Sequence, residues 1–253
     1  DLEKLIFEES SGFQLKEASF LAKITDEKLW LKRLKLGTNT STLRGDLEIN
    51  YANLNDFISD FDRADFQINI DNLQTQWKEA NYFAPHLKQN EVFVLLEKNP
   101  LQAKLKAEGN LSALNIKQLN VSWGKDFSSR LKGVFSNINT IDQLEFDLPI
   151  FEITTRKSAI EQFIKPEDLG LKLPEEIELQ SAFTGNVNAG EVDAFLETSL
   201  GSVQVEGEFN LDKVYGFDGE IKTNSIQLAQ LLDNEDFGNL SFTTQIKAQG
   251  EQL

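Results

Sequence analysis

Apolar and polar residues alternate with period two through most of this chain, and that alternation restricts its fold more than any other feature. Leu101, Ala103, Leu105 and Ala107 alternate with Gln102, Lys104, Lys106 and Glu108. Val203, Val205, Gly207, Phe209 and Leu211 alternate with Gln204, Glu206, Glu208 and Asn210. The pattern returns at Phe66, Ile68 and Ile70, at Leu119, Val121 and Trp123, at Leu144, Phe146, Leu148 and Ile150, and at Leu240, Phe242, Thr244, Ile246 and Ala248. Successive side chains of a strand point to opposite faces, so each segment reads as a strand with one apolar and one wet face. About fifteen such strands can be counted, few of them joined by an Asn-Gly type turn. The expected fold is mainly β, with an antiparallel-type sheet.

Two repeats run through this alternation. A glycine recurs between apolar residues, at Gly45, Gly109, Gly133, Gly185, Gly207 and Gly219, with a looser copy at Ala248-Gln249-Gly250-Glu251-Gln252. Inside a strand such a glycine marks a bulge, a bend or a close backbone approach. The second repeat is a strand running into one or two helical turns. Examples are Glu48-Ile49-Asn50-Tyr51 through Leu54 to Phe57-Ile58, and Ile68-Asn69-Ile70 through Leu73 to Trp77. Ile153-Thr154-Thr155 through Ala159 to Phe163, and Ile221-Lys222-Thr223 through Leu228 to Leu231, are the others. Helices this short must dock an apolar stripe on something, and covering an opening or an edge of the sheet is the expected use. Pro149 inside an alternating run predicts a strand end or a sheet edge there. Lys165-Pro166-Glu167-Asp168 and Leu173-Pro174-Glu175-Glu176 predict turns. No linker or charge block interrupts the pattern, so residues 1–253 read as a single continuous unit. The chain has no Met and starts Asp1-Leu2-Glu3, which reads as a piece of a longer protein.

Composition removes most chemistry. With no Cys and one His there is no disulfide framework, thiol nucleophile or multi-histidine metal site. His86, in Ala84-Pro85-His86-Leu87, reads as a loop residue. The balance of 41 acidic against 25 basic side chains argues against nucleic acid as partner. No glycine-rich phosphate loop or nucleophile elbow is present. The densest carboxylates, Glu175, Glu176 and Glu178 and the group Asp60, Asp62 and Asp65, read as solvated faces. Of Trp30, Trp77 and Trp123, the last is in phase with Leu119 and Val121 and reads as packing rather than as a sugar platform. No catalytic residue, metal ligand or cofactor is expected. No run reaches the roughly 18 apolar residues a membrane span needs.

The strand pairs punctuated by glycine resemble those of the AsmA-like superfamily, and within it the periplasmic repeats of TamB-type translocation and assembly proteins. Leu34-Lys35-Leu36-Gly37-Thr38-Asn39-Thr40-Ser41-Thr42-Leu43-Arg44-Gly45-Asp46-Leu47-Glu48-Ile49 is similar to the family's unit, with Thr42 and Leu43 adjacent where the family pattern separates them. Gly216-Phe217-Asp218-Gly219-Glu220-Ile221 through Leu228-Ala229-Gln230-Leu231-Leu232 to Phe237-Gly238-Asn239-Leu240 resembles another. The resemblance covers most of the chain, through diffuse motifs. It implies an elongated, curled sheet, the open trough known as a β-taco, with a hydrophobic inside and a few short helices. It implies a periplasmic location, an inner-membrane anchor outside this piece, phospholipid acyl chains as cargo, and a barrel-assembly partner of the TamA or BamA type met through other parts.

On this reading the groove candidates are Leu101, Leu105, Val121, Phe146, Leu148, Val203, Val205, Phe209, Phe242 and Ile246, acting by sliding apolar contact. Three alternatives use the same strands. A chaperone for outer-membrane strands needs exposed edges. A closed β-solenoid scaffold or adhesin needs its alternating residues fully packed. A carbohydrate-active enzyme needs two facing carboxylates.

Overall fold

The computed structural model describes residues 2–9, 12–84, 86, 89–164, 166–212 and 214–251. The fold is mainly β, an antiparallel sheet that does not close into a barrel, with a few short helices. Lys165 and Gln252, which end two of the sequence motifs above, lie outside the described residues.

The chain forms two compact units, the first comprising Asp1–Lys125 and Ser136–Asn139, the second Asp126–Phe135 and Thr140–Leu253. The first holds β1 (Leu2–Glu8), β2 (Gln14–Ile24), β3 (Lys28–Gly37), β4 (Thr42–Asn50), β5 (Asp65–Thr75), β6 (Leu101–Asn110) and β7 (Ala113–Trp123). Each strand pairs antiparallel with its chain neighbours. The second holds β8 (Phe127–Ser136), β9 (Glu145–Arg156), β10 (Glu176–Asn186), β11 (Ala189–Thr198), β12 (Gly201–Asn210), β13 (Val214–Gln227) and β14 (Asn239–Glu251). Here β9 to β14 pair antiparallel in chain order.

The expected strand-to-helix transitions are present. α1 (Leu54–Ser59) follows β4, and α2 (Ala80–Phe83) and α3 (Glu91–Leu96) lie between β5 and β6. α4 (Lys157–Ile160) and α5 (Pro166–Leu169) lie between β9 and β10, and α6 (Leu228–Leu231) between β13 and β14. α1 begins where the Asn53 side chain accepts from the Asp56 N–H, an N-cap that satisfies one free donor of the first turn. It carries Phe57 onto the densest packing of the first unit, a cluster of Ile49, Tyr51, Ala64 and Phe66. Phe57 stacks on Tyr51 at 4.7 Å between ring centroids, and Phe61 touches both Phe57 (5.5 Å) and Phe66 (5.0 Å).

Pro149 is neither at a strand end nor at a sheet edge. β9 runs through it, and the register with β10 shifts between Ser181 and Phe183, opposite Pro149 and Ile150. The bulge accommodates a residue without an N–H. It also takes Ile150 out of the alternation, so that Phe151 and Ile153 share the face of Phe146 and Leu148. The same device explains why the apolar pattern slips from Ile70 to Leu73. β5 bulges at Asp71 and Asn72, and continues as strand to Thr75 instead of becoming helix at Leu73.

Part of the glycine repeat is a hairpin signature. In Gly109-Asn110-Leu111-Ser112-Ala113 and Gly185-Asn186-Val187-Asn188-Ala189, the Asn Oδ1 accepts the N–H groups two and three residues on. Such side-chain turns replace the Asn-Gly turn. Gly185 has φ +143, and a Cβ there would lie 2.3 Å from the Ala189 oxygen. A second use is close strand approach. Gly207 pairs with Gly219 across β12 and β13, and the Phe217 ring lies over both, with Cζ 3.0 and 2.9 Å from where their Cβ atoms would be. Aromatic cover of this kind makes good the packing that glycine lacks. Gly250 has no such neighbour within 4 Å.

Gly219→Val places its Cβ about 2.2 Å from the Glu206 oxygen, so the strands must part. The expected loss is about 2–3 kcal/mol, read as a lower midpoint in urea denaturation. Gly250→Val, in open space, leaves the midpoint within about 0.5 kcal/mol.

Candidate functional site: the uncovered apolar faces

In the second unit the registers gather the apolar residues into ladders that cross the strands. One runs Ile153, Leu179, Leu196, Val203, Thr223, Phe242. The next runs Phe151, Ser181, Ala194, Val205, Ile221, Thr244. A third runs Leu148, Phe183, Val192, Gly207, Gly219, Ile246, and a fourth Phe146, Gly185, Gly190, Phe209, Phe217, Ala248. Seven candidates from the sequence, Phe146, Leu148, Val203, Val205, Phe209, Phe242 and Ile246, therefore share this face. In the first unit Ile70, Leu105 and Leu119 form one ladder, and Leu43, Leu73, Ala103 and Val121 the next. Leu101 pairs with Thr75 and Trp123 beyond them. The remaining three candidates, Leu101, Leu105 and Val121, share that face.

Among the described residues no second layer of side chains covers these faces. Among the described residues no side chain is less than 2% exposed. Of the ten candidates only Leu148 is buried. Phe242 is 39% exposed, and the other eight are half-buried, contacting their lateral neighbours and leaving their tops open. A packed sandwich would bury such residues on both sides. A cavity of about 540 Å³ at the Phe209 end of the second unit is lined mainly by rows of the polar face, among them Glu191, Glu208, Asp218 and Lys247, and so is not part of the apolar ladders.

The opposite face of the second unit is acidic by register. Asp193, Glu206 and Glu220 lie directly across β11, β12 and β13, and Glu191, Glu208 and Asp218 form the adjacent row. Like charges directly opposite repel, so this face favours full hydration. Lys247 on β14 pairs with Asp218 at 2.6 Å. Its hydrogen bond and charge attraction to Asp218 raise the Lys247 pKa.

The helical connections lie at the strand ends, and one contains a feature that the sequence did not announce. Glu79, in the 3-10 turn Trp77–Glu79, is 6% exposed. Its carboxylate accepts from Thr38 Oγ1 (2.5 Å), from the Thr40 N–H (2.6 Å) and from Ser41 Oγ. All three donors sit in the β3–β4 hairpin. Burial opposes ionisation of Glu79, but these hydrogen bonds outweigh it and the pKa is lowered. Nearby, Trp77 packs edge-on against Phe93 at 5.2 Å. Trp123, 5% exposed, donates its indole N–H to the Leu96 carbonyl at 3.0 Å.

The other chemistry-bearing residues stay apart from these faces. His86 is exposed. Asp60 pairs with Arg63 at 2.7 Å, Asp65 accepts from Asn110, and Glu175 and Glu176 meet Lys157 and Arg156. Trp30 sits between Lys23 and Glu48 on the polar side of β3. Among the described residues no group of three or more His, Asp or Glu is placed to hold a metal, and no helix is long and apolar enough to cross a membrane. No protein-family model, curated protein or solved structure matches this chain.

A lowered carboxylate pKa fixes the sign of one pH effect. The contribution of Glu79 to stability is complete above the ordinary carboxylate value of about 4.3, and is lost as pH falls through its lower folded value. Denaturation midpoints measured between pH 3 and pH 7 should show this acid loss in the wild type. In Glu79→Gln the difference between pH 7 and pH 3 should shrink, with a penalty at pH 7 of about 2–3 kcal/mol from hydrogen bonds to a charged group.

Proposed function

We propose that this chain is a non-catalytic section of a hydrophobic groove that carries phospholipid between the inner and outer membranes, in the manner of the TamB-type proteins its motifs resemble. The observation that carries this reading is the single-layer apolar face, with Val203, Val205, Phe209 and their ladder partners half-exposed along β9 to β14. A large apolar surface left open on a water-soluble sheet marks a place where something apolar binds. Acyl chains gain about 0.8 kcal/mol for each CH₂ they bury, and a face of Val, Leu, Ile and Phe offers that gain without fixing the chain in one position. Weak, repeated, undirected contact is what a conduit requires, since a tight pocket would hold its cargo.

The carboxylate rows on the other face fit the same role. They keep that side in water, so the apolar side is the one left for cargo. Acidic protein and anionic head groups repel, which is tolerable while the heads remain hydrated and only the tails enter. On this reading an inner-membrane anchor and any contact with a barrel-assembly partner lie outside the residues that form these faces.

Photocrosslinking tests the proposal. A photoreactive residue is placed at Val205, between Ala194 and Ile221 on the apolar face, or at Glu206, between Asp193 and Glu220 on the polar one. In the full chain in cells, labelled phospholipid should be captured at Val205 and not at Glu206. Capture of outer-membrane polypeptide at Val205 in place of lipid would favour the chaperone reading. Silence at both positions would sink lipid carriage by this face.

A further inference from the structure

The polar face of the second unit is rich in carboxylates, but one row across it is built differently. From β10 to β14 the registers set Gln180, Phe195, Gln204, Lys222 and Thr243 opposite one another. Phe195 breaks the alternation of β11, where Val192, Ala194 and Leu196 take the apolar side. Among the described residues it is the one aromatic side chain that these registers place on the polar face of β10 to β14. It is 37% exposed. A single exposed phenyl group needs no explanation by itself. What distinguishes Phe195 is its setting, with a glutamine directly across the strand on each side.

Beside it lies a cavity of about 600 Å³, lined among others by Phe195, Ser202, Gln204, Lys222, Asn224 and Thr243. Small-molecule sites occupy about 300–1,000 Å³. Among the described residues none that lines this cavity is acidic. The polar groups near the ring are also free. In the adjoining rows side chains bond to one another, Lys247 to Asp218 at 2.6 Å and Gln245 to Glu220 at 2.8 Å. Gln180, Gln204 and Lys222 make no side-chain hydrogen bond or ion pair among the described residues.

This combination selects a ligand class. A saccharide has C–H groups on its ring faces, which fit the face of a phenyl group. Its hydroxyls are donors and acceptors at once, and amides and hydroxyls match them in both functions. An acyl chain would leave the glutamines and Lys222 facing hydrocarbon. An acidic ligand would meet Asp193 and Glu197, which flank Phe195 along β11 on the same face, and Glu206 and Glu220 across from Asp193. Lys222 alone does not offset that field. We propose that the Phe195 row is a binding site for a neutral saccharide, with the phenyl ring as stacking platform and Gln204, Lys222 and Thr243 as hydrogen-bonding groups. The site lies on the face opposite the apolar ladders, so it goes beyond lipid carriage and does not depend on it.

Titration of the full chain with maltose, cellobiose or N,N′-diacetylchitobiose, followed by amide NMR shifts, tests the site. At least one of these disaccharides should give saturable shifts at Phe195, Gln204 and Lys222, with a dissociation constant of roughly 1 mM. Phe195→Leu keeps an apolar side chain on the strand, removes the ring and should weaken binding at least tenfold. Gln204→Ala should weaken it by about threefold to tenfold, and Phe209→Leu, on the other face, should leave it unchanged. The urea midpoint of each variant reports that the fold is retained. No saturable shift with any of the disaccharides at about 50 mM would overturn the site. Binding that survives Phe195→Leu unchanged would overturn it as well, and so would tighter binding of digalacturonate, which would make Lys222 an anion site. Phospholipid capture at Val205 judges the lipid reading separately, and its failure would leave the saccharide site untouched.

Discussion

The structure depends on a face of apolar side chains that has no opposing layer. In most β proteins a second sheet or a helical layer completes burial, and the alternation pays for itself in a dry core. Here the ladders of Leu196, Val203 and Thr223 or Ala194, Val205 and Ile221 meet only their lateral neighbours. Stability must then come from cross-strand pairs and from backbone hydrogen bonds along long strands, since burial per side chain is incomplete. Glycines such as Gly207 and Gly219, covered by Phe217, let the strands approach closely and thicken contact where the side-chain layer is thin.

Keeping the apolar residues on one side over strands of 10 to 14 residues is a register problem, because a slip of one residue sends every side chain to the other face. The chain handles this with bulges. In the first unit they fall on alternate strands, at Lys32 and Arg33 on β3, at Asp71 and Asn72 on β5, and at Lys117 and Gln118 on β7. Arg33 takes φ 55, and its N–H is satisfied by Asp46 Oδ1 at 2.7 Å on the neighbouring strand. Each bulge strengthens local twist and is matched by a one-residue slip in the apolar pattern, as from Ile116 to Leu119. Sequence and backbone are therefore out of phase and back in phase at the same places.

This explains what could be read in advance. The strands, the capping turns after Tyr51 and Thr155, and the side on which Val205 or Leu105 falls are local properties of composition and period. Pro149 was legible as an irregularity, but its kind was not, because an edge and a bulge both spare a missing N–H and only the partner strand distinguishes them. The hairpins at Asn110 and Asn186 were hidden inside a glycine motif that had another obvious use. Glu79 was invisible for a different reason. Its donors are 38 to 41 residues away, and among 41 acidic side chains nothing in the local sequence separates a buried carboxylate from a solvated one.

The two units treat the same kind of face differently. The first buries Ile49, Tyr51, Phe66 and Trp123 beside its helical connections, while Leu101, Leu105 and Val121 between them stay half-buried. In the second, the large apolar side chains along β10 to β14 are at most half-buried, and Leu148 on β9 is the large apolar residue with real cover among those described. Its α4 to α6 connections gather at one end, where the Lys172 N–H donates to the Leu231 carbonyl at 2.8 Å, while the Phe209 end has short turns. Side-chain packing therefore concentrates at the strand ends of the first unit, while the ladders of the second rest on their cross-strand pairs.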